Sequence, residues 1–336
     1  GNKNYLMMDS IYPWFKDAWI AIHKNEKLPH ALIFKGKEGI GKYDFAITFA
    51  KSYLCQNALS NHLPCEACSS CKWFPDSHPD FKHIAPIESD DDESSKRKTV
   101  RKKNIAIHQI RELSEYLELS AHQEKGRRIV LIEPADSLNQ AASNALLKIL
   151  EEPPENTLFI LVTSQAQRLI ATIRSRCQLL DLRGPSLDEA RLFLDGKKIA
   201  HEESLLSFTG GSPFNAIKEL ENQSERTVIT QLLSQGHKID LTKINYTILT
   251  QGLDWTVNMI QKWAFDLLLS FHTQQSYYFK NEEARIHSQA KQVNLGALLI
   301  FANELNELKK IASHPINQEL QLQNIFIKYK QIFEPL

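Results

Sequence analysis

Apolar positions along this chain fall into short unbroken runs that alternate with stretches of helical recurrence. Ala31-Leu-Ile-Phe34 is the first run, and Ala46, Ile47, Phe49, Ala50, Tyr53 and Leu54 then recur with helical spacing across Tyr43 to Leu54. Arg128-Ile-Val-Leu-Ile132, Thr157-Leu-Phe-Ile-Leu-Val-Thr163 and Gln178-Leu-Leu-Asp-Leu182 have the continuous apolar character of strands buried in a parallel sheet. Helices are expected over Ile105 to Leu119 and over Leu138 to Glu152, the second stopped by Pro153-Pro154. Strands alternating with helices predict an α/β fold with a parallel sheet, right-handed crossovers and ligands at the carboxyl edge of the strands.

Gly184-Pro185 breaks this alternation. The chain to about residue 222 reads as short helices around Gly210-Gly-Ser-Pro213, a small second domain. From about Glu225 to Leu336 glycine is scarce, and amphipathic stretches such as Trp255 to Leu269 and Leu295 to Leu308 predict a helical bundle or a face for neighbouring subunits.

A length of 336 residues and 42% hydrophobic content fit two or three domains with real cores. Forty acidic and forty basic side chains cancel, which argues against coating nucleic acid through bulk charge. One stretch is charge-segregated: Glu88-Ser-Asp-Asp-Asp-Glu-Ser-Ser95 runs into Lys96-Arg-Lys-Thr-Val-Arg-Lys-Lys103. With little to bury, it is expected to be a surface loop rather than a DNA-contacting finger. Gly1 to Asn4 precede Met7 and Met8, either of which is expected to stand near a natural start.

Two features carry chemistry. The loop Gly36-Lys-Glu-Gly-Ile-Gly41-Lys42-Tyr43, between a strand and a helix, is a candidate phosphate cradle through Gly36, Gly39, Gly41 and Lys42, and equally a plain turn. A working cradle also needs a Ser or Thr hydroxyl on Mg²⁺, and Tyr43 stands at that place with a phenol too long to serve. The second feature is Cys55-x9-Cys65-x2-Cys68-x2-Cys71. With no secretory signal and one other cysteine, Cys177, a reducing cytoplasm and a four-thiolate zinc site are expected rather than disulfides. His62, His78 and His83 lie nearby, and any of them is an alternative to Cys55. Four thiolates leave no open position, so the zinc is expected to be structural.

The glycine loop, the cysteine insert, Ser143-Asn-Ala-Leu-Leu-Lys-Ile-Leu-Glu-Glu-Pro-Pro154 and Ile173-Arg-Ser-Arg-Cys177 together resemble bacterial clamp-loader subunits of the AAA+ class, most of all its delta prime branch. Ser77-His-Pro-Asp80 and Ile316-Asn-Gln-Glu-Leu320 support the likeness, which covers nearly the whole chain. The resemblance implies an AAA+ P-loop-type domain over 1–183 with its zinc module at 55–71, a small helical lid over 184–222, and an all-α collar over 223–336 that joins subunits into an open ring. It further implies gamma/tau-type and delta-type partner subunits, a DNA polymerase III holoenzyme, and the loading of a sliding clamp onto primed DNA.

Against that family pattern the chain has Glu133-Pro134 where active relatives carry an Asp-Glu pair, and Phe214 where they carry a nucleotide-sensing arginine. Weak or absent ATP binding and no hydrolysis by the chain itself are therefore expected. Arg176 matches the family's arginine finger, offered in trans to the nucleotide of the adjacent subunit, while the bland role of a surface ion pair fits Arg174 better. The alternatives are an ATP-hydrolysing gamma/tau-like subunit, against which Pro134 speaks, and a zinc-dependent DNA-recognition protein reading DNA through Lys96 to Lys103.

Overall fold

The computed structural model describes residues 11–24, 27–87, 104–118, 126–199, 203–244, 252–311 and 318–333. The charged stretch 88–103, the first residues and Ile316-Asn317 lie outside the described residues. The chain divides into two compact units, with the boundary after Glu189.

The first unit is built, in chain order, from α1 (Lys16–His23), β1 (Ala31–Lys35), α2 (Lys42–Leu54), α3 (Ser69–Trp73), β2 (Phe81–Ile84), α4 (Ile107–Glu118), β3 (Arg128–Ile132), α5 (Gln140–Glu151), β4 (Thr157–Thr163), α6 (Ala171–Arg174) and β5 (Gln178–Asp181). The five strands form one sheet in the order β2-β3-β4-β1-β5, every neighbouring pair parallel. Because β1 lies between β4 and β5, the chain crosses the sheet twice, and the loops after β1, β3 and β4 meet at the carboxyl edge.

Strands β3 and β4 are buried at every position, as their apolar runs demand. The strand expected over Gln178 to Leu182 is different. It is an edge strand ending at Asp181, with Leu179 51% exposed, because it pairs with β1 alone; Leu182, just beyond it, is the buried residue. Two helices also begin later than the apolar pattern suggests. Ile105 forms a bridge with Leu138, so α4 starts at Ile107, and Asn139 caps α5 by accepting the Ala142 N–H at 2.8 Å.

One core joins β1, β3 and β4 to α4 and α5 through Ile33, Val130, Phe159, Ile110 and Leu146. Another is aromatic: Phe34 meets Phe45 and Phe49 of α2 edge-on at 5.3 and 5.8 Å, and Phe15 and Trp19 close over Phe45 at 5.2 and 5.8 Å. The N-terminal segment thereby braces the loop after β1, where the Trp14 indole donates to the Ile40 carbonyl at 3.0 Å.

The second unit is helical. It contains most of α7 (Leu187–Gly196), then α8 (Glu203–Phe208), α9 (Pro213–Leu220), α10 (Gln223–Ser234), α11 (Leu253–Thr273), α12 (Glu283–Ala290), α13 (Leu295–Ile311) and α14 (Gln318–Gln331). Ala190, Leu194, Leu205, Leu206 and Ala216 form one apolar cluster, and a larger one surrounds Trp263, Phe326 and Tyr329. Asp266, fully buried on α11, accepts the N–H groups of Tyr277, Tyr278 and Phe279 at 2.8 to 3.2 Å, which satisfies a carboxylate inside an apolar bundle.

The turn out of β1 leaves no room for a side chain at Gly36. A Cβ there would lie 2.6 Å from the Leu182 carbonyl oxygen, a backbone atom that cannot step aside. Gly36→Ala should lower the unfolding free energy of the first unit by about 1–3 kcal/mol in urea denaturation, the cost of forced overpacking. Gly196→Ala, where a Cβ meets nothing within 4 Å, should be neutral or slightly stabilising.

Candidate functional site

The loop between β1 and α2 is shaped by its glycines. Gly39 and Gly41 have φ of 72° and 88°, in the left-handed region, and Gly36 takes the close approach to Leu182. All three are thus required by the backbone alone, whatever the loop binds. Lys42, the first residue of α2, is buried and turns its ammonium back onto the loop and onto the end of β4. It donates to the Lys37 carbonyl at 2.6 Å and to Ser164 Oγ at 2.8 Å. Burial lowers its pKa, and the carboxylates of Glu38, Glu133 and Asp136 oppose that shift.

Glu38 belongs to the loop itself, while Glu133 and Asp136 follow β3. Glu133 is half-buried, and its pKa is raised by burial, lowered by Lys42 and raised by Asp136. Asp136 accepts a hydrogen bond from Thr163 Oγ1 at 2.5 Å, which ties the β3 loop to β4. Tyr43 extends from α2 toward β2, its ring 5.3 Å from that of His83. Its phenol is pushed up by burial and then by Glu133, Asp44 and Asp76. The site thus gathers one ammonium, three carboxylates and a phenol at the carboxyl edge. Ser164 was not singled out from the sequence, yet a polar residue directly after a buried strand, at the edge where such sheets bind ligands, is a signal that could have found it.

Phe214 sits at the start of α9 and packs its ring against Phe193 at 5.4 Å. It belongs to the second unit.

Arg176 follows α6 and precedes β5. Its guanidinium donates to the Thr172 carbonyl at 3.0 Å and to Glu151 Oε1, at the end of α5, at 2.8 Å. Among the described residues the surface ion pair therefore falls on Arg176 and not on Arg174, contrary to the sequence expectation, because the turn after α6 directs Arg176 toward the end of α5. Cys177 beside it packs onto the sheet core, and burial pushes its thiol up to about 12.

The cysteine insert joins α2 to β2. The sulfurs of Cys55, Cys65, Cys68 and Cys71 lie within 4.8 Å of one another, with Cys55···Cys68 at 3.9 Å and Cys65···Cys71 at 4.0 Å. A tetrahedral site with metal–sulfur bonds of about 2.3 Å would hold sulfurs about 3.8 Å apart, so the donors fit such an ion. Backbone N–H groups of Cys65, Cys68 and Cys71 point at the sulfurs of Cys55, Cys65 and Cys68 at 3.3 to 3.4 Å. N–H groups of Ala67 and Cys68 bring the Cys65 thiol down to about 6, while burial raises those of Cys55 and Cys71.

None of the three histidines joins this group. His62 stacks on His23 at 4.5 Å, His78 is taken by Ser70 Oγ and the Asp80 N–H, and His83 faces Tyr43. Among the described residues, these four thiols are the one group of three or more side chains placed to hold a metal.

A family profile described as "DNA polymerase III, delta subunit" matches residues 13–186. The DNA polymerase III subunit delta prime of Pseudomonas aeruginosa is 34% identical over 237 residues, which span 69% of this chain and 68% of that protein. The subunit of the same name from Escherichia coli is 25% identical over 340 residues and 96% of both chains. The DNA polymerase III subunit gamma of Buchnera aphidicola is 27% identical across 88% of this chain and 81% of its own. No helix among the described residues is long and apolar enough to cross a membrane.

Lys42 acts as an internal tie between the loop and β4, which makes a measurable demand on stability. Lys42→Ala leaves the Lys37 carbonyl and Ser164 Oγ without their donor and should lower the unfolding free energy by about 1–3 kcal/mol in the absence of any nucleotide. A variant as stable as the parent in urea denaturation would show that the lysine contributes nothing to the fold.

Proposed function

The chain belongs to the DNA polymerase III delta prime family, and on that premise we propose that it is a non-hydrolysing subunit of a clamp loader that supports a neighbour's ATP hydrolysis. In this reading it assembles with gamma/tau-type and delta-type subunits in the cytoplasm and helps to place a sliding clamp on primed DNA. The domain over 1–183 is the degenerate AAA+ core, 184–222 the lid and 223–336 the collar.

The observation that carries the absence of hydrolysis is the place of Tyr43. Its ring lies against His83 where a short hydroxyl side chain would be needed for Mg²⁺. Pro134 and Phe214 add to it, the first offering no group to activate water and the second an aromatic contact in place of a phosphate-sensing cation. Lys42, tied to Lys37 and Ser164, leaves at most weak nucleotide binding.

Arg176 supplies what the chain gives to catalysis. At the neighbour's site the oxygen of water bonds the γ-phosphorus while the bond to the β-phosphate oxygen breaks, and ADP leaves with the electron pair. A guanidinium beside the transferring group stabilises the charge spread over its oxygens. The four thiolates hold a structural zinc that fixes the insert between α2 and β2.

Two measurements test this. The purified chain should turn over no appreciable ATP, and in the complete complex Arg176→Ala should leave assembly intact while lowering DNA-stimulated hydrolysis by roughly 10³-fold. Arg176→Lys should stay impaired, since an ammonium lacks the two-pronged fork, whereas Arg174→Ala should be milder. Parental hydrolysis by an assembled Arg176→Ala complex would refute the trans role.

Metal analysis of the purified chain should give one zinc per molecule. Cys68→Ser should abolish full occupancy and loosen the insert more than the sheet. Full zinc occupancy in that variant would mean a different ligand set.

A further inference from the structure

The two most distinctive sequence stretches, Glu-Glu-Pro-Pro and Ser-Arg-Cys, meet in the structure through Glu151 and Arg176, which are 25 residues apart in the chain. We propose that Glu151 is the positioning residue for Arg176: its carboxylate, with the Thr172 carbonyl, sets the direction in which the guanidinium faces the neighbouring subunit. This rests on the reading of Arg176 as a group that acts in trans.

Three observations support it. Glu151 is the last residue of α5, where a negative charge opposes the helix dipole, so the helix itself gains nothing from a carboxylate there. Pro153-Pro154 ends the helix at this point and holds the carboxylate beside the turn that carries Arg176.

The pair is also half-exposed, with 34% of the arginine side chain and 44% of the glutamate side chain accessible, and such pairs contribute little to stability. Its value is orientation. Of the guanidinium's five N–H groups, one on each terminal nitrogen is engaged inside the chain, and the others donate to nothing among the described residues. An arginine fixed at two points and open elsewhere suits a group that must meet a phosphoryl oxygen without reordering at each turnover.

The test uses the complete complex, reconstituted with gamma/tau-type and delta-type subunits and stimulated by primed DNA and the sliding clamp, with steady-state ATP hydrolysis as the readout. Glu151→Ala should lower kcat on the order of tenfold with KM for ATP unchanged, because a misplaced finger costs transition-state stabilisation and not substrate binding. Glu151→Gln, which keeps an acceptor oxygen, should lose less. The melting temperature of each variant chain should match the parent. In an Arg176→Ala background, Glu151→Ala should have no further effect.

If Arg176→Ala is impaired while both Glu151 variants run at the parental or a higher rate, the positioning role fails and the trans finger stands. Additive losses in the double variant would also overturn it, by showing that Glu151 acts through something other than Arg176. If Arg176→Ala itself runs at the parental rate, the reading beneath the proposal fails instead.

Discussion

The first unit depends on how closely the chain passes itself where β1 ends. The Gly36 N–H reaches the Thr163 carbonyl at 3.3 Å, the Leu182 N–H reaches the Lys35 carbonyl at 2.6 Å, and Gly36 lies against the Leu182 carbonyl with no space for a Cβ. β1 is thereby locked to β4 on one side and to the exit of β5 on the other at the same height. That lock brings the loop after β1, the start of α2 and the polar residues after β3 and β4 to one place. These contacts require the glycines whatever the loop binds.

The elements most legible in the sequence were those whose burial leaves no choice. Arg128 to Ile132 and Thr157 to Thr163 match β3 and β4 to the residue, since a strand covered on both faces needs an unbroken apolar run. β2 escaped notice because Phe81-Lys-His-Ile84 is four residues long at the edge of the sheet, with buried ends and a half-buried middle. α1 escaped because Phe15 and Trp19 are large aromatics that fill a gap over Phe45, and tertiary packing rather than periodicity sets them. Ser186 and Glu189 are a different miss: they exchange backbone hydrogen bonds at 2.7 and 3.2 Å as a capping box, a four-residue signal open to reading before α7.

For the site, identity was legible but connection was not. The cysteine spacing named four donors, and the structure brings their sulfurs within metal-binding reach through three backbone N–H···S bonds that short Cys-x2-Cys loops allow. Nothing in spacing alone could tie Lys42 to Ser164 across 122 residues or Glu151 to Arg176 across 25, because both contacts depend on how distant elements pack. The strand order places β4 beside β1, so the end of β4 faces α2, and α6 packs on α5, so the turn after α6 comes under the end of α5.

A lysine at the start of α2 has two possible tasks, holding a phosphate or holding its own loop. Desolvation lowers the pKa of Lys42, and the nearby Glu38, Glu133 and Asp136 keep the charged form favourable, so the charge is balanced within the chain itself. With Tyr43 beside it in place of a hydroxyl, Lys42 holds its own loop through the Lys37 carbonyl and Ser164 Oγ. On the proposed function, the consequence for the complex is a division of labour at residue level. Rigidity would come from the loop and sheet, and the group offered to the neighbour would be Arg176, at the entry to β5, whose remaining N–H groups donate to nothing among the described residues.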